Sequence, residues 1–264
     1  MIQKQYLEVV SYLAPNWFIF YQAVASYLGR VLGMEIDLSQ GKVDSLVDPL
    51  LLKDRLDLAF ICGLPLIRYC QTAPYQLQTL VAPVMAAPRY QQRPIYFADV
   101  IVNSASQIHQ FSDLQEKLFC YNDLGSNSGY NLLRYKLIQD KYSQPFFSKE
   151  MQSGSHQTSI RWVAKGIADC AAIDSIVLEQ ELHDFPELAQ HVRVVEVLRN
   201  SPIPPLVAAT HLGSSLITQI CTCLLCPDEE LQTAMRKVGI SYFVPVKLED
   251  YRVLLQMYEA RYSP

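Results

Sequence analysis

Two short stretches carry residue types suited to gripping an anion. In YNDLGSNSGYN, residues 121–131, Ser126, Asn127, Ser128 and Gly129 lie between the apolar segment LFCY and the segment YNLLRYKLIQ. In SGSHQ, residues 153–157, Ser153, Gly154, Ser155 and His156 open the segment TSIRWVAKG. The first reads as a strand-to-helix turn and the second as a polar turn before a helix. A local reading makes Gly, Ser and Asn ordinary turn and cap residues, and His156 a solvated turn histidine. The functional reading makes each turn an anion site. Its N–H groups converge, its hydroxyls add donors, and the helix dipole favours negative charge. Two helix starts of the same design, aimed at one ligand, are less often accidental than one.

Catalytic chemistry finds less support. Ser126 and Ser128 are not in a G-x-S-x-G elbow, and no carboxylate stands out to orient His156 as a triad base. The chain has neither a P-loop nor a G-x-G-x-x-G fingerprint. No catalytic residue and no cofactor are assigned. Seven cysteines are present, and Cys62, Cys70, Cys120 and Cys170 sit in or beside apolar runs, as buried thiols do. CTCLLC at 221–226 lacks a second ligand cluster and continues a helical apolar pattern, so no metal site is assigned.

Composition bounds the class. Half of the 264 residues are hydrophobic and 18% are charged, which supplies a substantial core and argues against disorder. A net charge of −4 without a basic block argues against a nucleic-acid surface. No apolar run reaches the ~18–20 residues of a membrane span. The opening MIQKQYLEVVSYLAP reads as a strand and not as a secretory leader. On this basis either a leader has been removed or the protein stays in the cytoplasm. The odd cysteine count leans towards a reducing compartment.

The elements that must position the two turns alternate along the chain. YLEVVSYL, MEIDLSQ, LDLAFICG, YQLQTLVAPVM, IYFADVIVN, LFCY, IADCAAID, HVRVVEVLR and PIPPLVAATHL read as strands. A helix from Asn16, its possible N-cap, carries Trp17, Phe20, Val24, Tyr27, Leu28 and Val31 at helical spacing, with Trp17 and Phe20 as core. Asp44 can cap a helix through SLVDPLLLKDR, and Ser112 one through SDLQEK. Asp174 can cap SIVLEQEL. Later helices cover SLITQICTCLLC, DEELQTAMRKVG and VKLEDYRVLLQMYEARY. The alternation predicts an α/β protein with mostly parallel sheets. Proline-rich polar stretches near 88–96 and 199–205 mark two crossings. They give a first lobe of 1–90 plus 200–264, a second lobe of 91–199, and a ligand cleft between them. Tyr12, at the end of the first strand, is a candidate because strand ends face the ligand in such folds.

The succession DLAFICGLP, YFADVIVN, DLGSNSGYNLLRYKL and SGSHQTSIRWVAKGIADCAAIDSIVLEQ resembles the PhnD-like phosphate, phosphite and phosphonate substrate-binding proteins of ABC transporters. The resemblance spans nearly the whole chain, is most specific over 122–175 and weakest in the first 50 residues. It implies a two-lobed type II periplasmic-binding fold, with two mixed sheets flanked by helices and two hinge crossings. By motif it implies that Ser126, Asn127, Ser128 and His156 hold the phosphorus head group, where members commonly have Thr at the position of Asn127. Tyr96 maps to the tyrosine before the crossing strand, and Asp174 to an aspartate that faces a ligand amine or the cleft. The implied function is capture of a small phosphorus oxyanion by a monomer, for an ABC permease where one exists. No nucleic acid is expected as a partner. The implied location is periplasmic or membrane-associated if a leader was removed, and cytoplasmic if Met1 is native. Fold analogy alone keeps two alternatives: a cytoplasmic enzyme of the menaquinone-pathway type, and a cytosolic ligand sensor.

Overall fold

In the computed structural model, which describes residues 6–260, the chain folds into two units. Of the described residues, one unit holds 6–95 together with Pro202–Arg252, and the other holds Tyr96–Ser201 and 253–260. The last passage differs from the sequence reading, which kept 200–264 whole. The final helix is amphipathic, and it buries Leu254 and Met257.

Along the chain the elements are β1 (Tyr6–Ser11), α1 (Phe18–Leu32), β2 (Glu35–Gln40), α2 (Pro49–Leu52), β3 (Leu58–Phe60), α3 (Gly63–Thr72), β4 (Leu77–Met85) and β5 (Ile95–Tyr96). They continue with β6 (Ala98–Asn103), β7 (Leu118–Tyr121), α4 (Leu132–Gln139), β8 (Lys149–Gln152), α5 (His156–Ala164), β9 (Cys170–Asp174), α6 (Ser175–Asp184) and β10 (Val192–Val197). The chain ends with β11 (Ser201–Pro202), β12 (Leu206–Ala209), α7 (Ser214–Leu225), α8 (Glu229–Lys237), β13 (Ile240–Pro245) and α9 (Arg252–Glu259).

The first unit is built on a six-stranded sheet of order β13-β4-β12-β3-β1-β2. β1 runs parallel to β2 and β3, while β12 is antiparallel to β3 and β4, and β13 to β4. The second unit has the order β10-β6-β9-β7-β8, parallel at β7/β8 and β7/β9 and antiparallel at β6/β9 and β10/β6. Both sheets are therefore mixed, not mostly parallel: strands such as β12 and β6 enter their sheets against the direction set by the helical crossovers. The central strands β3 (LAF) and β12 (LVAA) are wholly buried, as continuous apolar runs in a covered sheet must be. The edge strand β2 instead exposes Glu35 and Asp37, which blunts the edge.

Local chemistry sets the helix boundaries. α1 buries Phe20, Val24, Tyr27 and Leu28 but leaves Val31 exposed, and it stops at Gly33 in the left-handed region (φ 65°). Asn16 does not cap it. Pro15 starts a short 3₁₀ turn whose cap position is Ala14, because proline presets the first helical φ. Trp17 and Phe20 pack edge to face, and Tyr21 stacks on Phe60 at 4.2 Å, an aromatic core in the first unit. The helix expected through SLVDPLLLKDR is broken in two. Asp44 accepts from the Leu46 amide at 2.9 Å over a 3₁₀ turn, then Asp48 accepts from the Leu50 amide at 2.8 Å and starts α2 with Pro49. The proline holds its predecessor extended (Asp48 ψ 121°), so one helix cannot run through. The SDLQEK helix is a 3₁₀ turn over Phe111–Leu114 with Gln110 at the cap. IYFADVIVN divides at Phe97 into β5 and β6. All seven cysteines are free thiols, and burial pushes the Cys120 thiol up to about 12, so it is inert as a nucleophile at neutral pH.

Candidate functional site

Strand β7 delivers the chain into the first turn. Ser126 is extended (φ −67°, ψ 129°) and its Oγ accepts from the Gly129 amide at 3.0 Å. The Asn131 amide then reaches back to the Ser126 carbonyl at 3.0 Å, five residues away, and Leu132 caps onto the Asn127 carbonyl. Residues 127–131 thus form a π-helical turn before α4. Such a turn is wider than an α turn and recurs at functional sites. The first amides of a helix have no carbonyl within the helix to bond, so they remain directed at whatever lies before the turn. Gly129 is required by close approach. A Cβ there would lie 1.8 Å from Asn122 Oδ1 and 3.1 Å from His156 Cε1.

The second turn is tied to the end of the same strand. The Ser153 amide donates to the Tyr121 carbonyl at 2.7 Å, and the Gly154 amide to the Asn122 carbonyl at 3.0 Å. Ser155 caps α5 by accepting from the Thr158 amide at 3.0 Å, which leaves His156 as the first helical residue. Its ring approaches the first turn: His156 Nε2 lies 3.2 Å from Ser128 Oγ. His156 Nδ1 is buried and has no protein partner, in a residue only 8% exposed. Ser128 and His156, far apart in sequence, are thus brought together at the mouths of two helices.

Burial pushes the His156 imidazole down from 6.5 to about 4, so it is neutral at neutral pH. A histidine with a lowered folded-state value gives stability that is fully present above 6.5 and is lost as pH falls towards 4. The difference corresponds to about 3 kcal/mol. Urea unfolding of the wild type and of His156→Gln across that window should show the loss in the wild type and a flatter profile in the variant. Parallel profiles would contradict a buried, neutral ring.

The other expected site residues divide into two groups. Asn127, fully buried, donates from Nδ2 to Tyr96 Oη at 2.8 Å and to Ser201 Oγ at 3.3 Å, and its Oδ1 accepts from Asn131 Nδ2 at 3.2 Å. Tyr96 therefore joins the first turn through Asn127. Asp174 caps α6 by accepting from the Ile176 amide at 2.9 Å, and it ends β9, which packs against the 127–131 turn. Burial, then the charge of Asp99, raises its carboxyl to about 7, although part of the residue remains exposed. Tyr12 belongs to the first unit, where its hydroxyl donates to Asp48 Oδ2 at 2.9 Å. Arg134, which is not among the expected site residues, bonds to Glu150 and to the Tyr130 hydroxyl. Ser201 was not anticipated. It lies beside Pro202 in a proline-rich run, and no local pattern distinguishes it.

A family described as ABC transporter, phosphonate, periplasmic substrate-binding protein matches residues 14–251. Among solved structures, a binding-protein component of an ABC phosphonate transporter from Pseudomonas aeruginosa is similar over 98% of this chain and 87% of its own, at 16% identity and a TM-score of 0.85. PhnD1 from Prochlorococcus marinus, solved in complex with methylphosphonate, is similar over 97% of this chain and 98% of its own, at 16% identity and a TM-score of 0.85. The periplasmic aliphatic sulphonate binding protein SsuA from Escherichia coli is similar over 98% of this chain and 87% of its own, at 15% identity and a TM-score of 0.60. At these identities the structural likeness establishes the fold.

Proposed function

The chain belongs to the phosphonate family of ABC transporter periplasmic substrate-binding proteins, and on that premise we propose that its 126–129 turn and His156 hold the head group of a small phosphorus oxyanion. Phosphate, phosphite and short alkylphosphonates are the candidates, and methylphosphonate, the ligand in the Prochlorococcus marinus structure, is the first probe. The family is one of transport binding proteins, which favours transport over the menaquinone-type enzyme and the sensor. Delivery to an ABC permease at the periplasmic face follows from the same membership as part of the proposal.

The observation that carries the reading is the orphaned Nδ1 of His156 beside the Ser128 hydroxyl. A buried polar atom without a partner is unfavourable by about 1–3 kcal/mol. An oxyanion oxygen removes that penalty when Nδ1 carries the ring hydrogen and Ser128 donates to Nε2. Micromolar affinity needs about −8 kcal/mol. Helix-end dipoles supply roughly 0.3–1 kcal/mol each, up to ~2 when partly buried. Hydrogen bonds to a charged oxygen supply about 1.5–3 kcal/mol each. Several such bonds, from the turn amides, Ser126 and the His156 Nδ1–H, reach the required sum without a salt bridge to the ligand.

Calorimetry with phosphate, phosphite, methylphosphonate and sulfate tests the proposal. A phosphorus ligand should bind at micromolar concentration or tighter, with sulfate weaker. Binding of sulfate or an organic acid, with no phosphorus ligand taken, would reject it.

A further inference from the structure

The Asn127 side chain is turned into the protein. It is wholly buried, and Tyr96, Asn131 and Ser201 around it are each 1% exposed. A primary amide has two N–H hydrogens and a carbonyl oxygen. Here one hydrogen goes to Tyr96 Oη, the other to Ser201 Oγ, and the oxygen accepts from Asn131. Tyr96 ends β5 and Ser201 begins β11, and these two strands form a two-stranded sheet of their own. The chain enters the second unit at Tyr96 and leaves it after Ser201. A single buried amide therefore joins three segments of the second unit, Tyr96 lying 31 residues before Asn127 and Ser201 74 residues after it.

We propose that Asn127 is a positioning residue: it anchors the π turn to both connecting strands through its side-chain amide, and it serves the ligand only through the turn it holds. The anchor fixes the Cα of Asn127, and with it the direction of the amides and of the Ser128 hydroxyl that follow. Threonine cannot substitute. Its one hydroxyl hydrogen reaches one of the two oxygens and leaves the other buried without its donor. Aspartate keeps the shape but has no hydrogen to give and adds a buried charge. Ser201 thereby enters the binding machinery as an anchor point. Its contribution to ligand affinity rests on the proposed phosphorus site, whereas its contribution to the order of the turn does not.

The test reads both properties in the intact protein. Amide hydrogen exchange at residues 128–131 is measured without ligand, and calorimetry with methylphosphonate is run on the same samples. Asn127→Ala and Asn127→Thr should each lower exchange protection at 128–131 and methylphosphonate affinity by about tenfold or more. Asn127→Ala combined with Tyr96→Phe should be little worse than Asn127→Ala alone, because both act through one bond. Should Asn127→Ala not fold, Tyr96→Phe and Ser201→Ala each remove one acceptor and should show smaller losses of protection at the same amides. Unchanged exchange with lost affinity and additive double-variant losses would make Asn127 a direct ligand contact and overturn the proposal. Unchanged exchange and affinity would overturn it as well. If the wild type binds no methylphosphonate, the phosphorus reading fails, and exchange alone decides whether Asn127 anchors the turn.

Discussion

Gly129→Ala is expected to weaken phosphorus-oxyanion binding by about tenfold to a hundredfold and to destabilise the protein by about 1–3 kcal/mol, the usual range for a side chain forced into filled space. The Cβ would fall 1.8 Å from Asn122 Oδ1 and 2.9 Å from its Cγ, distances no real contact tolerates. Asn122 has little freedom to yield. Its side chain is short, its Nδ2 donates to Asp123 Oδ2 at 2.9 Å, and its backbone carbonyl holds the Gly154 amide. The same Cβ would press on His156 Cε1 at 3.1 Å and push the ring off Ser128. One methyl group therefore disturbs both turns at once. The cause is steric, which gives an internal control: Asn122→Ala in the Gly129→Ala background should recover part of the lost affinity by opening the space. Calorimetry and urea unfolding of the two proteins measure this. Wild-type affinity in Gly129→Ala would show that the two turns are not packed as described.

Removing the Ser128–His156 pair is the second large effect. Ser128→Ala and His156→Ala should each weaken binding by about tenfold or more, since the second removes a charge-assisted bond that contributes about 1.5–3 kcal/mol and the first releases the ring that makes it. Both variants should stay folded, as each deletes side-chain atoms at a helix start and leaves the strands untouched. The losses should not add. With Ser128 donating to Nε2 the hydrogen of His156 sits on Nδ1, so losing the hydroxyl frees the ring to take the other tautomer, and losing the ring leaves the hydroxyl without that partner. The double variant should bind about as weakly as the worse single one. Full additivity would mean that the two side chains act independently, and unchanged affinity in both would remove them from the site.

Both turns were legible in the sequence because Gly, Ser, Asn and His punctuate otherwise apolar text at 121–131 and 153–157. The buried strands LAF and CAAID were equally plain, since a covered strand needs no polar alternation. The edge strand β8, KEMQ, was missed because a largely exposed strand with two charges has no apolar signature. β13 was missed for a related reason: in ISYFVP only Ile240 and Phe243 are buried, which breaks the period of two. The π turn was also invisible, because widening a turn by one residue changes hydrogen-bond partners and not composition. The bonds of Asn127 to Tyr96 and Ser201 have no sequence signal, since they are settled by where β5 and β11 bring the chain. Motif placed Asn127 and Tyr96 at the site, while the geometry binds them to one another. Tyr12 followed from a strand-end argument that could not anticipate the Asp48 carboxylate accepting its hydroxyl.

The central claim is that the amides of Asn127 and Ser128 and the Nδ1 of His156 together solvate a phosphorus oxyanion. Nitrogen-15 NMR during a methylphosphonate titration addresses it most directly. The Asn127 and Ser128 amides and the His156 Nδ1–H are expected to shift and reach saturation together, with the ring still neutral. Ligand uptake by calorimetry with those resonances unmoved would place the guest elsewhere and contradict it.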